Sequence, residues 1–129
     1  MPSLSKIMAF GISPLAAGAI TGDLSTGLTA LGTTQATALA LSANHNLVTT
    51  AAVGTGVVLP AITNPPGLGV TAGDEITIYN NGANTLNVFP PLGSTIGLAA
   101  VNVAVLIVSG KASTFKMLTN TVWGVVASA

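Results

Sequence analysis

The stretch YNNGANTLNVFPP, residues 79–91, carries the strongest short-range structural signal in the chain. An Asn-Asn-Gly turn sequence is followed by alternating polar and apolar side chains and then by two prolines, which end the run. Residues 75–79, before the turn, alternate in the same way. Because alternation with a period of two is typical of strands with one buried face, these residues predict a β-hairpin.

The register of this hairpin follows from burial, because directly opposed residues of an antiparallel pair share one face. A two-residue turn would mix apolar and polar side chains on each face. A three- or five-residue loop with Gly82 near its apex avoids the mixing. The apolar face then contains two opposed pairs, Ile78 with Leu86 and Ile76 with Val88. The other face carries polar and aromatic side chains, namely Glu75, Thr77, Tyr79, Asn87 and Phe89.

Short strands separated by turn residues are predicted along most of the chain. The strand signals cover residues 36–41, 47–52, 57–59, 75–79, 85–89, 102–108, 112–118 and 121–127. No segment has the periodicity of a long amphipathic helix. This pattern predicts an all-β fold, which we expect to be a jelly-roll-like β-sandwich over residues 23–129. Residues 1–22 show neither the periodicity of a helix nor that of a strand, and we expect them to form an extended N-terminal arm.

The scarcity of charge is the most unusual feature of the composition. The 129 residues include three lysines, three acidic residues and no arginine, so 5% are charged and the net charge is zero. Ordinary soluble domains contain about 25% charged residues. Half of the residues are apolar, which argues against disorder. Because so little charge protects weakly against association, we expect much of the folded surface to be covered by other copies or by a partner.

The few cations argue against a nucleic-acid partner. Affinity for nucleic acid comes mainly from Lys and Arg side chains that neutralise phosphates. Lys6, Lys111 and Lys116 are too few and too scattered to form a basic stripe.

The apolar runs argue against a membrane partner. The longest clean run, residues 103–108, is far shorter than the ~18 residues of a membrane-spanning helix. Lys6 followed by apolar residues 7–20 resembles a signal peptide, but Gly11 and Pro14 interrupt the run. We therefore favour an ordered arm over a secretion signal.

No set of catalytic or metal-binding residues is evident. His45 is the single histidine and cysteine is absent, so one chain cannot supply a His- or Cys-based zinc site, although three copies around a threefold axis could. We interpret His45 as a surface turn residue. Asp74 and Glu75 point to opposite faces of a strand and are a poor acid–base pair. We expect Asp74 to complete a turn, Glu75 to contact a lysine, and the protein to be neither an enzyme nor a cofactor-binding protein.

Two glycine-containing segments fall short of phosphate-binding motifs. Residues 54–56, Gly-Thr-Gly, lack the third glycine of a dinucleotide fingerprint and are followed by Pro60 instead of a helix. Residues 110–112 lack the upstream glycine of a P-loop and the Ser or Thr after its lysine. Neither segment predicts nucleotide binding.

Most of the chain, from about Gly32 to Trp123, resembles a family of small structural proteins from tailed-bacteriophage virions. The resemblance rests on LGTTQATAL (31–39), VTTAA (48–52), GTGVVLP (54–60), AGDE (72–75), YNNGANTLNVFPP (79–91), GKASTF (110–115) and Trp123. The block between residues 72 and 91 is its most specific part, and residues 1–22 are not covered.

Proteins of this kind resemble capsid decoration (cement) proteins. The resemblance implies an all-β protein, often trimeric, that binds the major capsid protein on the outer surface of the capsid. It brings no catalytic residues. Related blocks also occur in fibre and tail proteins, so it indicates a virion surface more firmly than a head.

These expectations select candidate interface residues. A cement protein bridges capsid subunits, and weak contacts made together by several arms multiply in strength. We expect the arm and the polar-aromatic strand face to provide such contacts, through Lys6, Ile7, Phe10, Pro14, Tyr79, Asn87 and Phe89. The alternative is a receptor- or glycan-binding domain of a fibre or tail protein, in which Tyr79, Phe89 or Trp123 would stack on a sugar.

Overall fold

The chain is all-β in a computed structural model, which describes residues 24–61, 70 and 72–127. No helix occurs within these ranges. The strands are β1 (Leu24–Thr29), β2 (Leu39–Ala40), β3 (His45–Thr50), β4 (Gly56–Val58), β5 (Glu75–Asn80), β6 (Leu86–Phe89), β7 (Thr95–Ile96), β8 (Val105–Ile107), β9 (Ala112–Thr119) and β10 (Val122–Ala127).

The strands form two mixed sheets. The larger sheet has the order β1-β3-β5-β9-β10-β7, and the smaller sheet has the order β2-β4-β6-β8. From β1 to β9 successive strands alternate between the sheets, so the chain winds back and forth between them. From β1 to β6, each strand runs in the same direction as the preceding strand of its own sheet. β1, β3 and β5 are therefore parallel neighbours, and so are β2, β4 and β6.

The all-β expectation is confirmed, but the expected jelly-roll order is not. Five of the eight strand pairings found in the described ranges are parallel, whereas a jelly roll is an antiparallel architecture. The expected arm, residues 1–22, and its boundary with the rest of the chain lie outside the described residues.

Most predicted strands are present with shifted ends. The predicted strand over residues 102–108 shortens to β8, and the one over residues 36–41 shortens to β2. The sequence carries no clear signal for β1 or β7. β1 is irregular, because Gly27 has a φ of 66° and the register with β3 shifts beside it, and β7 has only two residues.

One hydrophobic cluster draws on both sheets. Buried residues alternate with half-buried or exposed ones along β5, β6 and the first part of β9, so every second side chain points inward. Trp123 and Phe115 of the larger sheet are its largest members and are fully buried. Its other members include Val48, Val57, Leu59, Ile76, Ile78, Leu86, Val88, Ile96, Ile107 and Met117.

The predicted hairpin is wrong, although both of its strands exist. β5 pairs with β3 and β9 in the larger sheet, while β6 pairs with β4 and β8 in the smaller sheet. Residues 81–85 therefore cross between the sheets instead of closing a hairpin, and none of the predicted cross-strand pairs forms. The four residues assigned to the apolar face are nevertheless all buried in the core, namely Ile76, Ile78, Leu86 and Val88.

A buried asparagine explains how the chain crosses at this point. Asn80, the last residue of β5, has no exposed surface. Its Nδ2 donates to the carbonyl of Asn84 at 2.9 Å and to that of Ile107 at 2.8 Å, and its Oδ1 accepts the N–H of Gly82 at 3.0 Å. Because Ile107 belongs to β8, one side chain both fixes the crossing segment and joins the two sheets.

The crossing segments are also bonded to one another. Asn84 Nδ2, in the β5–β6 crossing, donates to the carbonyl of Ala51 in the β3–β4 crossing at 2.9 Å. Gly82 lies so close to Ala51 that a Cβ at position 82 would be 2.7 Å from its backbone nitrogen. Ser109, between β8 and β9, donates its hydroxyl to the carbonyl of Gly82 at 2.5 Å. Successive crossings thus stack at one end of the sheets.

We expect Asn80→Ala to lower the free energy of unfolding by about 3 kcal/mol, because it leaves buried hydrogen-bonding groups without their partner. Asn81→Ala is the matched control. Its side chain is exposed, so we expect a change below about 0.5 kcal/mol. Urea unfolding of both variants measures the difference, and equal losses would contradict the role assigned to the Asn80 amide.

Candidate interaction surfaces

Three of the seven predicted interface residues lie in the part of the chain that the structure describes. These are Tyr79, Asn87 and Phe89, and the structure does not bring them onto one face. Tyr79 is on the outer face of the larger sheet, in register with Leu47 and Ala112, and is 43% exposed. Asn87 and Phe89 belong to β6 of the smaller sheet. The remaining four predicted residues, Lys6, Ile7, Phe10 and Pro14, lie outside the described residues.

Asn87 and Phe89 are half-buried and make contacts within the chain. Asn87 Nδ2 donates to the carbonyl of Gly54 at 2.9 Å, which ties β6 to the neighbouring crossing segment. The ring of Phe89 covers Gly56, where a Cβ would lie 3.0 Å from Cε2. Both side chains point away from the core, as predicted, but they also hold the outer face of the smaller sheet together.

The outer face of the smaller sheet carries no charged side chain. The strand register and the alternation of β6 place on it Ala40, Gly56, Val58, Asn87, Phe89 and Leu106. The charged residues in the described ranges are Asp74, Glu75, Lys111 and Lys116, which lie in β5 and β9 or directly before them. The described charge is therefore confined to the larger sheet and its connections.

Glu75 contacts a lysine, as expected from the sequence. Its Oε1 is 3.6 Å from Nζ of Lys116, the residue directly opposite on β9. Both side chains are more than half exposed, so the pair contributes less than about 1 kcal/mol. It helps to set the register of β5 and β9 without being a major source of stability.

Exposed apolar side chains concentrate in the segment of the chain that follows β6. Six of the thirteen exposed large hydrophobic residues in the described ranges fall within residues 92–108. They are Leu92, Leu98, Val101, Val103, Leu106 and Val108, and we call this set the apolar patch. No residue between positions 92 and 108 is charged or contains an ionisable side chain. Leu106 stands on the outer face of β8, where Ile107 points into the core.

A network of hydrogen bonds holds the backbone beneath the apolar patch. Asn102 Oδ1 accepts the N–H of Gly93 at 2.7 Å and Nε2 of Gln35 at 3.2 Å. Gln35 Nε2 also donates to the carbonyl of Pro90 at 2.6 Å. The backbone N–H of Asn102 donates to the carbonyl of Ser94 at 2.9 Å. The polar groups of the loop therefore form hydrogen bonds within the chain, while its apolar side chains remain exposed.

Asn102 and Gln35 were not among the predicted site residues. Asn102 is the single non-glycine residue with positive φ, 66°, among those described. Asparagine tolerates this left-handed conformation better than most residues. Its position as a lone polar residue inside the apolar run LAAVNVAV, residues 98–105, is the signal that could have revealed it.

The remaining candidates for chemistry are dispersed. His45 is half-buried and is the first residue of β3, not a turn residue. Asp74 follows the turn at Gly73, as expected, and Gly73 has a φ of 99°. No group of three His, Cys, Asp or Glu residues that could hold a metal ion is found among the described residues.

The three aromatic residues expected to stack on a sugar lie in different parts of the described structure. Trp123, one of the three candidates for such a role, is fully buried in the core. Tyr79 and Phe89 are on different sheets. The glycan-binding alternative is therefore left with Tyr79 and Phe89 as separate candidates for stacking on a sugar.

The chain matches no family model, no curated protein and no solved structure. The resemblance to virion proteins accordingly remains a prediction from the sequence blocks. Within the described ranges, no helix has the length and apolar character to cross a membrane.

We expect Asn102→Gly to lower the free energy of unfolding by about 1 kcal/mol, because it removes two side-chain hydrogen bonds but keeps the left-handed backbone accessible. Asn102→Ala should cost about 2 kcal/mol, since alanine adds the strain of a positive φ. Thermal or urea unfolding measures both. An alanine variant that is no less stable than the glycine variant would contradict this account of the loop.

Proposed function

We propose that this chain is a structural virion protein that decorates and stabilises a tailed-bacteriophage capsid by binding the major capsid protein. It would sit on the outer surface of the capsid as a homotrimer and would have no enzymatic activity, cofactor or metal. The sequence blocks described above suggest the class of protein.

The observation that carries this proposal is the uncharged, apolar surface of the smaller sheet and its neighbouring loop. Ordinary soluble domains cover such surfaces with Lys, Glu, Asp and Arg. Docking through an apolar surface avoids the large free-energy cost of removing water from charged groups. A surface of this kind suits permanent packing against other protein subunits on a virion.

The proposal includes two features of the expected fold. We propose that the two sheets pack face to face as a β-sandwich, which the shared core cluster favours. We also retain residues 1–22 as an extended arm that contacts the major capsid protein. The jelly-roll order is not part of the proposal, because the parallel winding of β1 to β6 favours a different topology.

Trimeric assembly on the capsid supplies strength from individually weak contacts. Three arms that engage neighbouring capsid subunits together bind far more tightly than one, because the second and third contacts are intramolecular. A ligand of the intact shell that does not bind its dissociated subunits stabilises the shell by mass action. A decoration protein can therefore raise the stability of a shell without changing the capsid protein itself.

We expect the full chain to co-sediment with bare shells of its own phage and to raise the temperature at which those shells rupture. Deletion of residues 1–22 should weaken binding at least about tenfold, since three arm contacts are lost at once. The measurement is co-sedimentation over a range of chain concentrations, followed by thermal challenge of the shells.

The control is the unfolding transition of the deletion variant, which must remain cooperative for a loss of binding to be assigned to the arm. Unchanged binding by a folded deletion variant would refute the role of the arm. Failure of the full chain to bind shells would refute the proposed function itself.

A further inference from the structure

We propose that the apolar patch is the surface through which this chain associates with further copies of itself. This inference deepens the proposed function, on which it rests for the expectation of a homotrimer, by naming the contact surface. The occupant is a second copy of the same patch, brought against it by rotational symmetry.

The first argument is the open edge of the smaller sheet. Among the residues that the structure describes, β8 has β6 as its one neighbour in the order β2-β4-β6-β8. Soluble proteins protect exposed edge strands by keeping them short or with lysine, proline or a bulge. β8 reads Val-Leu-Ile, so its length of three residues is its single such protection. The absence of lysine and proline leaves this edge apolar and open to an uncharged partner.

The second argument is the match of charge between the patch and its partner. A partner that placed a charged side chain on the patch would lose the hydration of that charge without gaining an opposite one. The partner must therefore be uncharged over the whole contact. This chain offers such a surface, because its described charges lie in β5, β9 and their flanks.

The third argument is the polarity of the loop. The hydrogen bonds of Asn102 and Gln35 are made within the chain. The loop therefore offers a partner mainly apolar side chains. Contacts between identical subunits are more apolar than contacts between independent proteins. A second copy fits this surface better than a polar partner such as a glycan.

A contact between copies needs a broad surface on each of them. A standard interface buries about 800 Å² on each partner. Large side chains spread over residues 92–108 supply the apolar centre that such an interface needs. Around a symmetry axis, one patch can meet its own copies and bury this area on every subunit.

The test uses Leu106→Lys in the full chain, with Leu118→Lys as the matched control. Leu106 is 63% exposed in the patch, and Leu118 is 55% exposed on β9 of the larger sheet. Sedimentation velocity over a wide range of concentration gives the dissociation constant of each protein. Urea unfolding confirms that both variants remain folded, as expected for exposed positions.

We expect the wild-type chain to sediment as an oligomer. Leu106→Lys should raise the dissociation constant at least about hundredfold, because it buries an unpaired ammonium group in the contact. Leu118→Lys should change it less than about threefold, since its side chain stays in solvent. Amide hydrogen exchange should show protection of residues 98–108 that grows with concentration, while β1 shows no such change.

Each contrary result overturns a defined part of the proposal. A wild-type chain that is monomeric at every concentration would overturn self-association. An oligomer that Leu106→Lys weakens no more than Leu118→Lys does would overturn the assignment of the patch. Shell binding by the wild-type chain is measured separately. An oligomer that does not bind shells would refute the decorating function and leave this inference standing, so the two failures are distinguishable.

Discussion

The side-chain amide of Asn80 links the two sheets where the chain passes from one to the other. A buried amide is stabilising only when its donors and acceptor are satisfied, and Asn80 finds partners in its own crossing segment and in β8 of the opposite sheet. The close approach of Gly82 to Ala51 then sets how tightly successive crossings stack. The position of β6, and through it β4 and β8, depends on this arrangement.

The winding of the chain also determines which surfaces the fold presents. Because β2, β4, β6 and β8 all come from uncharged segments, the smaller sheet has an outer face of small, amide and apolar side chains. The larger sheet receives β5 and β9, which carry Glu75 and Lys116. The order in which segments enter the sheets therefore gives the protein two chemically different sides. The proposed contacts with other protein subunits use the uncharged side.

The sequence predicts the strands and their buried faces better than it predicts how the strands pair. Alternation is local, so the inward direction of Ile76, Ile78, Leu86 and Val88 could be recognised directly. The partners of Thr77, however, are His45 and Thr114, which are distant in sequence. An Asn-Gly sequence is compatible with a crossing between sheets as well as with a hairpin. The turn residues alone therefore could not decide between these two connections.

The candidate surfaces were predicted only in part, for a related reason. Alternation indicated that Asn87 and Phe89 point away from the core. Their contacts with Gly54 and Gly56 could not be predicted, because those glycines become neighbours only once β4 and β6 pair. The role of Asn102 likewise depends on Gln35, a residue from a distant turn. Long-range contacts of this kind are specified by topology, not by any local pattern.

The near absence of charge has a consequence for the speed of assembly. Complementary charges accelerate protein association far above the roughly 10⁵–10⁶ M⁻¹s⁻¹ of neutral partners, and salt removes that advantage. A chain with a net charge of zero generates little long-range field to attract or orient a partner. Its encounters are therefore governed by diffusion and by local concentration. We therefore expect the proposed assembly to proceed at much the same rate in dilute and in concentrated salt.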